Sequence, residues 1–197
     1  MKKQLLCLLL VSASSLAQEK LWTEADRQST IENFNRTRDE LVKETEDLTP
    51  AQWAFKESAE RWSIGEIVEH LSLWEIIWAR EIGMGSQGTP QPQLNKTSRP
   101  DSYYKEFIME DAPHVSPYIS RPTGFIKGKD NLAFFLNRRA VNLTFLEKTQ
   151  ADMRSLFEQT GTPNPRNMHQ VYIYQWGHVD RHLKQIMKVK AHKDYPK

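Results

Sequence analysis

The sequence predicts an all-α fold, a four-helix bundle with a long crossover between its second and third long helices. Three observations carry this. Apolar residues recur three and four apart in four long stretches, the spacing of helices that bury one face. No stretch alternates apolar and polar residues as a half-buried strand does. One segment, residues 83–129, holds Pro90, Pro92, Pro100, Pro113, Pro117 and Pro122 and breaks the helical pattern. A connection that long fits a crossover joining two helices that run in the same direction, with a lid or rim near a site.

The first long helix begins at Thr23. Its hydroxyl can cap the helix, and Glu24 and Asp26 sit where the helix dipole favours acidic residues. Ile31, Phe34, Arg38, Leu41, Val42 and Leu48 mark its inner side, and Thr49-Pro50 ends it. Residues 51–61 form a connector with a helical turn around Gln52 to Phe55. The second long helix has the clearest start. Ser63 and Glu66 form a capping box, and Trp62 and Ile67 form the hydrophobic staple around it. Its apolar face runs from Ile64 through Trp78 to about Ile82, where Gly83 and Gly85 stop it. His70 falls in the middle of that face.

Within the crossover, Asp101 to Glu110 reads as a short helix carrying Tyr103, Tyr104 and Phe107. The third long helix begins near Asp130, with Leu132, Phe135, Leu136, Arg139, Leu143 and Leu146 as its stripe, and ends between Gln150 and Asp152. Residues 151–160 read as another short helix. Gly161, Pro163 and Pro165 separate it from the last helix, where Asn167 and Gln170 repeat the capping-box spacing. The inner face of that helix is Val171, Tyr174, Gln175, His178, His182, Gln185, Ile186 and Val189.

His178 and His182 lie four apart, so their rings leave successive turns side by side. Such a pair can bind one ion at roughly 2.0–2.1 Å per nitrogen, and His70 on a facing helix completes a three-ligand set. Three protein ligands leave one position open for water or substrate, the pattern of catalytic rather than structural sites. The alternative is three buried, hydrogen-bonded core histidines. Glu66, one turn before His70, is a fourth-ligand candidate that its cap role explains equally well. His114, His169 and His192 read as surface residues, and Trp74, Trp78, Tyr172 and Trp176 as packing.

Composition bounds the rest. At 197 residues, 39% hydrophobic and 26% charged, the chain suits one globular domain. Lys2 and Lys3, the apolar run Leu5 to Val11 and Ser15-Leu16-Ala17 form a secretory signal pattern with cleavage after Ala17. The expected division is residues 1–17 as signal peptide and 18–197 as the bundle. The mature protein is then expected to be periplasmic or extracellular. The residues before Cys7 lack the small residue of a lipidation site, so no stable membrane anchor is expected. Removing Lys2 and Lys3 takes the formal charge of +2 to zero, which gives no basis for nucleic-acid binding. It also removes the single cysteine, so His, carboxylate and water are left as metal ligands.

The segments W-S-I-G-E-I-V-E-H-L (Trp62 to Leu71) and H-V-D-R-H-L-K-Q-I (His178 to Ile186) resemble the DinB-like superfamily, as do G-F-I-K-G-K before the third long helix and Arg139 within it. The resemblance spans nearly all of the mature chain. It implies an up-down-down-up bundle, often dimeric, and a divalent metal, zinc or nickel, held by His70, His178 and His182. Characterised relatives include thiol-dependent S-transferases and an isomerase. Their thiol cofactors are cytoplasmic, which sits poorly with export. Three readings therefore stand: an exported metal-dependent hydrolase or transferase on a small substrate, a non-catalytic metal-binding module, and a structural bundle. A cytoplasmic chain would restore the S-transferase reading. Catalytic residues and substrate stay unassigned.

Overall fold

The computed structural model describes residues 20–112, 114–158 and 163–197. The expected signal sequence lies outside these residues. Six α-helices are described: α1 (Glu24–Thr45), α2 (Pro50–Ala54), α3 (Ile64–Gly85), α4 (Asp101–Ile108), α5 (Asp130–Lys148) and α6 (Met168–Lys190). Among the described residues there is no strand, only an isolated antiparallel bridge between Phe157 and Asn167. No described helix is long and apolar enough to cross a membrane.

Capping sets most boundaries. Thr23, Thr49, Ser63 and Asn167 each accept from the backbone N–H three residues on, and Asp26, Gln52, Glu66 and Gln170 reach back in turn. Glu66 also pairs with Lys56 at 2.7 Å, so it belongs to this cap and does not join the histidines. Four expectations need correction. The first helix ends at Thr45, because Thr49 starts a helix of its own. The second runs through Gly83 to Gly85, and the third stops at Lys148. Residues 151–158 are not helical. The Asp152 carboxylate there accepts from the N–H groups of Leu21, Trp22 and Arg154. The backbone carbonyls of Met153, Leu156 and Ser155 accept from His169, Met168 and Gln91, leaving none of these for helical bonds.

The core has three zones along the bundle axis. One apolar cluster holds Leu41 of α1, Ile67 and Leu71 of α3, Phe135 of α5, and Val179, Leu183 and Ile186 of α6. The other holds Phe34 of α1, Trp78 and Ile82 of α3, Leu146 of α5, and Met168, Val171 and Tyr172 of α6. The order of the clusters is reversed between the pair α1, α6 and the pair α3, α5, so each pair is parallel and the two pairs oppose. Between the clusters lies a polar layer. Arg139, fully buried, donates to Glu75 Oε1 at 2.7 Å, to Thr37 Oγ1 and to the Phe34 carbonyl. Asn142 and Gln175 donate to Glu75 Oε2 at 2.7 and 3.0 Å. Each of the four long helices thus supplies one side of this layer.

The crossover from α3 to α5 packs back onto the bundle. Its helix α4 lies on α6, where Gly177 leaves room for Ile108. A Cβ on Gly177 would stand 2.6 Å from Ile108 Cγ2. Arg181 secures the end of α4 by donating to the Ile108 carbonyl at 3.2 Å and to those of Glu110 and Ala112.

Candidate metal centre

Because α3 and α6 are antiparallel, His70 is brought level with His178 and His182. All three are buried, at 3%, 8% and 7% exposure. Each offers a nitrogen within 4.8 Å of the others. His178 Nε2 is 3.3 Å from His70 Nε2 and 3.0 Å from His182 Nε2. Two nitrogens bound at 2.0–2.1 Å to one ion stand about 2.9–3.4 Å apart for bond angles between 90° and tetrahedral. The separations fall in that window.

The outer ring nitrogens decide what the inner ones carry. His70 Nδ1 is 2.6 Å from the Ser120 carbonyl, an acceptor only, so the proton sits on Nδ1. His182 Nδ1 is 2.8 Å from Gln185 Oε1 and donates to it. Both Nε2 atoms therefore present lone pairs to the centre. A proton on His178 Nε2 could serve only one of them. His178 Nδ1 is buried without a partner among the described residues. Three convergent lone pairs with two backed Nδ1–H groups are the donor set of a divalent ion.

Electrostatics agree. Burial lowers the His70 pKa to about 4. Burial and the neighbouring His70 lower that of His182 to about 3. Burial, then His182 and His70, hold His178 well below the ordinary imidazole value. All three are neutral at pH 7, the form that binds metal.

Two residues that position this centre escaped the sequence reading. Ser120, buried in a short 3-10 turn of the crossover, supplies the carbonyl behind His70. Glu69, also buried, fixes the following stretch of the crossover by accepting from Thr123 N–H and hydroxyl and from Gly124 N–H at 2.7–3.0 Å. Its helical neighbours Gly65, Glu66, Ser72 and Leu73 give no apolar pattern that would have flagged it.

The remaining histidines separate. His114 is exposed and His192 half-buried. His169 is not a surface residue. It is 6% exposed, accepts from Trp22 Nε1–H at 3.1 Å and lies 3.6 Å from Asp101. The aromatic rows also do more than pack. Trp74 and Trp78 stack with centroids 4.5 Å apart and touch the His178 ring at 5.8 and 5.3 Å. Their other side lines a cavity of about 840 Å³.

The DinB superfamily model matches residues 33–186, most of the chain and all three histidines. This protein belongs to the DinB superfamily. Among solved structures, YfiT from Bacillus subtilis, described as a probable metal-dependent hydrolase with an unusual four-helix bundle topology, is similar at 14% identity with a TM-score of 0.53. The similarity covers 85% of this chain and 87% of YfiT, and shows that the four-helix bundle fold is shared. No curated protein sequence matches.

Proposed function

We propose that this DinB-superfamily protein binds one divalent ion, zinc or nickel, through His70, His178 and His182, and acts as a metal-dependent hydrolase or transferase on a small substrate. The observation that carries the reading is the convergence of three neutral, buried Nε2 atoms at metal-ligand separations. A bound ion supplies Lewis acidity at the position that three ligands leave open. The chain's own part is positional. Ser120 and Gln185 hold the tautomers of His70 and His182, and Glu69 holds the crossover loop next to Ser120. Trp62 and Trp74 pack on His70 with ring centroids at 4.8 and 6.3 Å, a wall that excludes water from the imidazoles.

Elemental analysis of untagged protein tests the reading. About one ion per chain is expected, with loss in His178→Ala/His182→Ala. Absence of metal in both after incubation with zinc or nickel refutes it. The same samples separate the enzyme from a non-catalytic module, through turnover of thiol and ester substrates that is lost with His182→Ala.

We further propose export, supported by the basic start and apolar run of residues 1–17. The N-terminal sequence of secreted protein tests it, and an intact Met1 in the cytoplasm rejects it. A homodimer is also proposed. Tyr118, Ile119 and Phe125 stand 88%, 67% and 87% exposed on the crossover, an apolar surface that a second copy would cover. Sedimentation velocity of the parent and of Tyr118→Ser/Phe125→Ser distinguishes dimer from monomer.

A further inference from the structure

The cavity beside the metal centre has a definite chemistry. Its wall is a chain of aromatic contacts from three helices. Trp74 stacks on Trp78, Trp78 meets Tyr174 edge-on at 6.0 Å, Tyr174 meets Phe107 at 6.2 Å, and Phe107 stacks on Tyr103 at 5.7 Å. Its volume of about 840 Å³ lies within the range for whole small-molecule ligands.

The charges on this wall are unequal in their commitments. Arg166 donates through Nε–H to Glu158 and lies 5.0 Å over the Tyr174 ring. Glu158 returns its N–H to the Arg166 carbonyl at 3.0 Å, so this pair is closed. Arg99 is exposed and lies 5.2 Å over Tyr103. Glu81 is half-buried on the cavity wall, and no N–H donates to its carboxyl among the described residues. Another carboxylate, Glu158, repels it and shares a hydrogen bond with it, and the Arg166 cation gives partial relief. Cations already occupy the faces of Tyr174 and Tyr103. Among the described residues no side-chain cation covers Trp74 or Trp78.

We propose that this cavity binds an organic cation, an amine or quaternary ammonium on an apolar body, with its charge between Glu81 and the Trp74–Trp78 faces. Indole is the strongest of the side-chain rings for a cation, and a carboxylate removed from water gains most from an ion it can pair with. The apolar body lies against Tyr103, Tyr104 and Phe107. A ligand seated there is one indole away from His178, and none of the three histidines lines the cavity. The cation preference itself rests on the cavity alone.

Glu81 also sets a pH signature. Burial first, and then Glu158, push its pKa up to about 7 against the pull of Arg166. Tyr104 and Tyr174 on the same wall have their pKa values raised by burial and stay neutral there. A fixed cation therefore binds more tightly as Glu81 loses its proton.

The test is calorimetric titration of metal-loaded protein with phenyltrimethylammonium, which carries no titrating proton, beside benzyl alcohol and phenylacetate. The ammonium should bind at least about tenfold tighter than either. Its affinity should rise about tenfold from pH 6 to pH 8. Glu81→Gln should lose that preference and that pH dependence while keeping its metal stoichiometry and its helical circular dichroism. Equal binding of the three probes, tighter phenylacetate binding, indifference to Glu81→Gln, or no binding at millimolar probe overturns the proposal. Metal content measured on the same samples keeps the two readings apart. Ammonium binding without metal rejects the metal centre alone, and metal without ammonium binding rejects the cation pocket alone.

Discussion

Replacing Gln185 by Leu probes the metal centre without touching a ligand. Gln185 Oε1 accepts the Nδ1–H of His182 at 2.8 Å, which keeps the Nε2 lone pair on the side of His70 and His178. Leu has nearly the same volume and no acceptor. The Nδ1–H then loses its bond, and the competing tautomer, with its proton on Nε2, gains weight. A partner that orients a metal-bound imidazole is worth about 10- to 100-fold in metal affinity. A hydrogen bond of this kind contributes about 1–1.5 kcal/mol net, which converts to roughly tenfold. Gln185 is half-buried, so water can reach part of the vacated space. The lower figure, about tenfold, is therefore the expected loss. Competition with a chromophoric zinc chelator at pH 7.5 measures it. Gln185→Glu is the control. Its carboxylate accepts the same proton and should hold zinc at least as tightly as the parent. Parent-like affinity in Gln185→Leu, or equal weakening in Gln185→Glu, would show that Gln185 does not set the His182 tautomer.

Four further outcomes follow from the fold. Glu75→Gln leaves the fully buried Arg139 without its counter-charge and should cost about 3–5 kcal/mol, roughly a 10 °C fall in melting temperature; a fall under about 2 °C would mean the pair contributes little. Gly177→Ala should destabilise by about 1–3 kcal/mol in urea, because its Cβ meets the β-branched Ile108 at 2.6 Å. Gly85→Ala should stay within about 1 kcal/mol of the parent, because its Cβ meets only the flexible end of Met168, and similar costs for the two variants would contradict this account. The Asp26 pKa is pulled up by burial but held at about 2 by hydrogen bonds from Arg154 and Thr23, which outweigh it. A lowered carboxylate pKa stabilises the fold above the unfolded value near 3.8 and loses that contribution as pH falls toward 2. Denaturant titrations should thus show the parent and Asp26→Asn differing by about 1 kcal/mol at pH 6, because solvent screens this partly exposed pair, and converging near pH 2.

What the sequence disclosed was local. Two of the four capping boxes, at Ser63 and Asn167, are read from residues three apart, Thr23 is read as a plain cap, and each lies where its helix begins, whereas Thr49 and Gln52 show the same spacing and are passed over. The convergence of three histidines was equally legible. His178 and His182 show their common face by spacing, and His70 shows its burial by its apolar neighbours. The misread residues depend on partners far along the chain. His169 is buried because Trp22 donates to it from 147 residues away. Residues 151–158 lose their helix to Asp152, whose acceptors serve Leu21 and Trp22 from 130 and more residues away. Periodicity also failed to separate packing from lining. It places Trp74 and Trp78 on the inner face, but does not tell whether the next object is a side chain or a cavity.

That last distinction turns on the crossover. Since α3 and α5 run the same way, the chain must return the length of a helix of 22 residues, about 33 Å. Roughly ten extended residues cover that distance. Residues 86–129 provide far more, so most of this segment is not needed to close the fold. Two sets of its contacts fall at places where ligands would sit. The Ser120 carbonyl backs His70, and Tyr103, Tyr104 and Phe107 of α4 close the aromatic cavity. Helices α3 and α6 alone supply the three imidazoles and the two indoles. The bundle therefore sets what is coordinated, while the crossover sets what can lie beside it. Exchanging residues 99–110 for an unrelated helix that keeps Ile108 against Gly177 should change ligand preference and leave metal stoichiometry intact. If metal and ligand binding fell together, the crossover would be part of the metal centre and this division of labour would be wrong.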